Sequence, residues 1–336
     1  MQKFNVVFLD TMPEEAHAIY RSCLPENVHY TYLESKDESE KKSKLQDADV
    51  FMFGGYRVDK ATIDLAPKLK LIHIQGVGYE KIDVAYATKK GIPVCTTPAG
   101  TENVAEHTLM LILASLRRLT VIDAEMRQGI YPRWDYVSST YALAGKTVGI
   151  VGFGRIGRAV AKLLLAFGTT VIFLDKFTSL PLAEQRTLNV EQVASMDELC
   201  ERSDIITLHM PLTTDDTGII NKNTVFNKMK KPAFLINTSR GSLVNEKDLY
   251  EALKNGRIAG AGTDVFEVEP VSKDNPLLTL NNIVMTAHNA AVTYDAHISR
   301  AQFIFANITR LINGESLSSC VNVNELKAGL GAPTIF

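Results

Sequence analysis

The chain reads as an α/β protein made of two doubly wound parallel sheets, and three observations predict this. Through the first hundred residues short β-rich runs alternate with helical stretches, the pattern of parallel strands joined by crossover helices on both faces. A second series of the same kind begins near Lys146, on a strand that runs straight into a glycine turn. With 336 residues, 46% apolar and 22% charged, the chain is long enough to fill two cores and cover them with polar surface.

Strands are expected at residues 5–9, 30–33, 50–53, 69–74 and 92–95, with helices around 14–22, 60–65 and 82–90. Pro98-Ala99-Gly100 breaks the alternation. A long helix is expected from Thr101, because Val104, Leu109, Ile112, Leu116 and Leu119 recur at helical spacing. The second series has a strand at 147–151, a helix at 158–167, and strands at 171–174, 205–208, 234–237, 259–262 and 283–286. Residues 294–313 place Ala301, Ile304, Ile308 and Leu311 on one face and stop at Gly314, which predicts one amphipathic helix.

The 36 Lys and Arg against 38 Asp and Glu leave a net charge of −2, with no basic block. Nucleic acid and acidic membranes are therefore not the expected partners, and small molecules are. No apolar run approaches the roughly 20 residues of a spanning helix. The acidic start lacks a secretory pattern. Cys23, Cys95, Cys200 and Cys320 are scattered without a CxxC pair. A cytoplasmic protein with neither metal site nor disulfide framework is expected.

Gly152-Phe153-Gly154-Arg155-Ile156-Gly157 matches GxGxxG, a weak signal by itself. Its context strengthens it: a strand precedes, a helix follows, and Asp175 closes the next strand 18 residues after Gly157. The glycines permit the turn, the approach to a pyrophosphate and helix-strand packing, while the helix start offers N–H donors to phosphate. A carboxylate at Asp175 accepts from an adenosine ribose and repels a 2′-phosphate, so NAD is expected over NADP.

Three further residues each end a strand or follow one: Arg240, Glu269 and His288. Singly, each is an ordinary surface cation, loop charge or structural histidine. At one rim they supply a carboxylate clamp, an acid/base and its orienter.

With these blocks in view the chain resembles the D-isomer-specific 2-hydroxyacid dehydrogenase family over nearly its whole length. The similarity is carried by Gly76-Val77-Gly78-Tyr79-Glu80-Lys81-Ile82-Asp83, Val104-Ala105-Glu106-His107, residues 145–157, residues 203–212, residues 237–241, residues 260–267 and His288. The resemblance implies a discontinuous layout. Residues 1–100 and 290–336 would form a flavodoxin-like substrate domain, and residues 101–289 a Rossmann NAD-binding domain, with a cleft between them. It implies that Arg240 holds the substrate carboxylate and C2 oxygen, that His288 transfers the proton, and that Glu269 pairs with His288. The Val77 and Gly78 backbone N–H groups would hold the substrate carboxylate. Asp264 would meet the nicotinamide carboxamide, His209 and Pro211 would line the adenine and ribose side, and Thr217 and Thr238 would add cofactor contacts.

Chemically the set is coherent, since a hydride added to a C2 carbonyl creates an alkoxide that needs a positive donor and a proton. Related formate dehydrogenases pair the histidine with Gln, and Glu269 argues against that activity. Phosphoglycerate dehydrogenases carry an Arg near the end of the third strand, where this chain reads Phe53-Gly54-Gly55, with Arg57 a few residues on. NAD(H)-sensing corepressors of the same fold retain all three residues and stand as the alternative function. In relatives the arm that here contains Trp134, the single tryptophan, packs across a symmetric dimer. A homodimer with Trp134 at its interface is expected.

Overall fold

The computed structural model describes residues 3–35 and 37–329. The chain divides into two compact units, one holding residues up to Gly100 and those from Thr293 onward, the other Thr101–Val292.

The first unit begins with β1 (Phe4–Phe8), α1 (Glu14–Ser22), β2 (Val28–Tyr32), α2 (Glu38–Leu45), β3 (Val50–Phe53), α3 (Lys60–Asp64), β4 (Leu71–Ile74), α4 (Val84–Lys89) and β5 (Val94–Cys95). Its five strands are parallel, in the order β2-β1-β3-β4-β5. The β3 and β4 residues are buried throughout, as unbroken apolar runs in a parallel sheet must be. Val7, Phe51, Phe53 and Ile72 face one core, while Val6, Phe8, Val50 and Met52 face the other.

The second unit runs through α5 (Thr101–Arg117), α6 (Leu119–Arg127), β6 (Thr147–Val151), α7 (Arg155–Ala166), β7 (Thr170–Leu174), α8 (Leu182–Leu188), β8 (Val190–Gln192), α9 (Met196–Arg202) and β9 (Ile205–Leu208). It continues through β10 (Phe234–Asn237), α10 (Glu246–Lys254), β11 (Gly260–Thr263) and β12 (Ile283–Met285). All seven strands are parallel, ordered β12-β11-β10-β9-β6-β7-β8. The order reverses at β6 and β9, so a switch point opens beyond their carboxyl ends, at Gly152 and His209.

The chain then returns to the first unit with α11 (Tyr294–Asn313) and α12 (Val323–Gly329). The Thr293 hydroxyl oxygen accepts from the Ala296 N–H at 3.2 Å to start α11, and Gly314, left-handed at φ 71°, ends it. Ala301, Ile304, Phe305 and Ile308 of α11 cover the β1–β3 face.

Two boundaries and two elements differ from expectation. Helix α7 starts at Arg155, inside the glycine motif, so the first turn itself supplies the N–H donors. The helix from Thr101 breaks at Arg118, left-handed at φ 51°, and Leu119 beyond the break is 56% exposed instead of continuing the buried face. The polar helix α2 and the edge strand β8 were not anticipated.

Candidate active site

The glycine turn is built by steric necessity. Gly152 has φ 94°, and a Cβ there would lie 2.6 Å from backbone atoms of His209 and Met210. A Cβ on Gly157 would collide with the Gly152 carbonyl oxygen, so only glycine lets α7 approach β6 this closely. Gly154 caps α7 without a side-chain hydrogen bond. The Arg155, Ile156 and Gly157 N–H groups of its first turn therefore lie where a helix leaves donors for an anion.

Asp175, half-buried just past β7, clamps this turn from behind. Its Oδ2 accepts from the Phe153 N–H at 2.6 Å, and its Oδ1 from the Phe177 and Thr178 N–H groups, both at 2.7 Å. Burial opposes the charge, but these backbone donors outweigh it and hold the carboxyl below its usual range.

Across the switch point, the His209 Nε2 lies 2.9 Å from Thr207 Oγ1, and its buried Nδ1 has no hydrogen-bond partner among the described residues. Burial depresses its pKa to about 3, so the ring is neutral. Pro211 and Thr217 are exposed. Thr238 is buried, with its hydroxyl 2.9 Å from that of Thr108 on α5.

His288 and Glu269 meet in the second unit, with His288 Nδ1 2.6 Å from Glu269 Oε2. The Phe266 N–H donates to Glu269 Oε1 at 3.0 Å, which fixes the carboxylate from the other side. His288 is held in the left-handed region at φ 51°, a conformation a non-glycine residue adopts only where its surroundings enforce it. Arg240 follows β10 in a turn ordered by Asn237, whose Oδ1 accepts from the Ser239 N–H at 3.0 Å and whose Nδ2 donates to the Arg240 carbonyl at 2.9 Å. Arg240 Nη1 donates to the Ser239 carbonyl at 2.8 Å. Val77 and Gly78 lie in the first unit, in the loop after β4, with Val77 52% exposed.

Asp264, 1% exposed, enforces the His288 geometry. Its carbonyl accepts from the His288 N–H at 2.7 Å. Its carboxylate accepts from the Asn289 and Ala290 N–H groups, each at 2.9 Å, and from the Thr286 hydroxyl at 2.6 Å. His107 of α5 completes the cluster, with Nε2 2.9 Å from Thr286 Oγ1 and 3.6 Å from Asp264 Oδ1. His107 and Thr286 were given no role from sequence. Their signal is the placement of His107 one helical turn before the buried Leu111, which aims it at the strand ends.

The profile of the family described as "D-isomer specific 2-hydroxyacid dehydrogenase, NAD binding domain" matches residues 109–290. A D-3-phosphoglycerate dehydrogenase of Methanocaldococcus jannaschii is 42% identical over 282 residues, covering 83% of this chain and 53% of that protein. A glyoxylate reductase of Thermofilum pendens is 37% identical over 344 aligned positions, covering 97% of each chain. The chain thus spans about half of the first relative and nearly all of the second. Among solved structures, the D-lactate dehydrogenase of Aquifex aeolicus complexed with NAD and lactic acid aligns with a TM-score of 0.80 at 29% identity, over 98% of this chain and all of that one.

Proposed function

The chain belongs to the D-isomer specific 2-hydroxyacid dehydrogenase family and carries its NAD binding domain, and on that premise we propose that it interconverts a 2-oxo acid and the D-2-hydroxy acid with NAD(H). The observation that carries this reading is the His288–Glu269 pair at 2.6 Å, in the same unit as the glycine turn and the Arg240 loop.

Residues 101–292 act as the cofactor unit, and the remainder as the substrate unit. The α7 N-terminus and the glycine turn take the pyrophosphate, and Asp175 takes the adenosine ribose with its remaining acceptor capacity. His209, Pro211 and Thr217 line the adenosine side, the neutral His209 ring bringing a free Nδ1. Thr238 and Asp264 sit on the nicotinamide side. The bound cofactor supplies the hydride that reaches C2.

The backbone N–H groups of Val77 and Gly78 hold the substrate carboxylate. Arg240 engages that carboxylate and the C2 oxygen through its planar fork and stabilises the developing alkoxide. With Nδ1 held by Glu269, His288 presents Nε2 to the C2 oxygen and gives it a proton during reduction. In oxidation the neutral ring takes that proton back.

NADH consumption with a panel of 2-oxo acids tests the activity, and steady turnover rejects the corepressor alternative. His288→Gln is expected to bind NADH normally and lose about 10²–10⁴-fold in kcat. Undiminished turnover in that variant would remove His288 from the chemistry.

The chain assembles as a homodimer through Trp134. This side chain is 69% exposed, among Ile130, Tyr131 and Val137, which are 49, 74 and 71% exposed. No helix among the described residues is long and apolar enough to cross a membrane, and a cytoplasmic location is part of the same proposal.

A further inference from the structure

Within the first unit, His297 and Arg300 lie three residues apart on α11 and so share one face of the helix. Arg300 is only 6% exposed. Its Nε is enclosed without a partner, and among the described residues no hydrogen bond or ion pair engages its guanidinium. A buried charge without a counter-charge is costly, so proteins rarely keep one that nothing neutralises.

Tyr20, which interacts electrostatically with Arg300, has its hydroxyl committed elsewhere. Gln75 Nε2 donates to the Tyr20 hydroxyl oxygen, and that oxygen lies 3.0 Å from His297 Nδ1. Tyr20 is fully buried, so its own proton has one productive destination, His297 Nδ1. Burial, reinforced by the Arg300 charge, lowers the His297 pKa and keeps the ring neutral. The remaining ring proton therefore sits on Nε2. The polarity of the chain from Gln75 through Tyr20 to His297 thus ends in a second donor, on the same face of α11 as the guanidinium. Gln75 is also the residue immediately before Gly76, Val77 and Gly78, the loop to which the substrate carboxylate is assigned above.

We propose that His297 and Arg300 form a subsite for a second anionic group on the substrate, a carboxylate or phosphate at the end remote from the 2-oxo acid. The enzyme then prefers dianionic 2-oxo acids over pyruvate or glyoxylate. This assignment rests on the dehydrogenase reading for its catalytic consequence, but not for binding of the anion itself. Arg57 is exposed and has no comparable enclosure.

The test compares kcat/KM with NADH for oxaloacetate, 2-oxoglutarate and 3-phosphohydroxypyruvate against pyruvate and glyoxylate, in wild type, Arg300→Met and Arg300→Lys. Wild type is expected to favour one dianionic class by at least about tenfold, the carboxylates or the phosphate ester identifying the natural source of the anion. Arg300→Met should lose roughly ten- to hundredfold on that class and less than about threefold on pyruvate, the scale of a charged hydrogen bond. Arg300→Lys, which keeps the charge and suits a variant that must fold, should fall between them. Equal selectivity in wild type and both variants overturns the subsite.

Calorimetric titration with inorganic phosphate and with malonate reads the same site without turnover. Binding to wild type that weakens at least about tenfold in Arg300→Met is expected. Absence of binding in a protein that still binds NADH overturns the subsite, whereas anion binding without turnover of any 2-oxo acid would overturn the dehydrogenase reading alone.

Discussion

In the proposed function Asp175 serves both backbone and ligand with one carboxylate. Its three accepted backbone N–H bonds include that of Phe153, the second residue of the glycine motif, so the charge proposed to meet the ribose also fixes the turn proposed to meet the phosphates. Asp175→Ala is expected to raise the NADH KM and to shift the NADPH-to-NADH ratio of kcat/KM upward by about tenfold or more. It should also cost about 1–3 kcal/mol of stability, because the turn donors lose their acceptor. Steady-state kinetics with both cofactors and a urea melt check the two effects, and a wild type that already favours NADPH would reject the first. Glu269→Gln separates charge from geometry at the other end of the site. The amide can still accept from His288 Nδ1, so NADH affinity should stay unchanged while kcat falls about 10- to 100-fold, less than for His288→Gln. A wild-type kcat in Glu269→Gln would mean that Glu269 contributes position and not charge.

Helix α6 has no buried residue, although Leu119 and Met126 on it are 56% and 47% exposed. Together with the 130–137 segment it presents apolar side chains that its own unit does not cover. Trp134→Ala is therefore expected to weaken dimerisation at least about tenfold by sedimentation velocity, since a large aromatic anchor dominates such interfaces. An active wild-type monomer at micromolar concentration would remove the premise. At this scale the elements legible from sequence are those with a strong internal period. Helix α11 shows its apolar spacing and its Gly314 stop in the residues themselves, and the strands that flank Gly152 and Arg240 are continuous apolar runs. Helix α2 has no such period, because Leu45 is its only buried residue and the rest is Glu, Lys and Ser. The break at Arg118 carries no glycine or proline to announce it. The candidate triad was legible because each member follows a strand, whereas the Asp264, Thr286 and His107 cluster joins residues up to 179 positions apart and exists only in the fold.

Buried neutral histidines set the acid limit of the whole protein. Burial lowers the pKa of His73 to about 4 and of His209 to about 3, and it lowers those of His17 and His297 as well. The unfolded chain returns each ring to about 6.5. Below that pH the unfolded state binds more protons than the folded one, so stability is fully present above about 6.5 and is lost as the pH falls toward 4. Each such histidine contributes at most about 1.4 kcal/mol per pH unit. The urea midpoint should be clearly lower at pH 5 than at pH 7.5, and His73→Gln should flatten the dependence. A midpoint constant over that interval would contradict the burial of these rings.

The return of α11 to the first unit also dictates an order of manufacture. Residues 101–292 leave the ribosome as one uninterrupted stretch, so the seven-stranded sheet can close while the remainder is still being translated. The part of the first unit that precedes it has to wait. Val6, Phe8, Val50 and Met52 are covered by α11, and the β5 edge is sealed by Asn322, which accepts from the Val94 N–H and donates to Thr88 Oγ1 and the Ile92 carbonyl. During each round of synthesis these strands are thus shielded only once α11 and Asn322 have been made, and until then their apolar faces are open to aggregation.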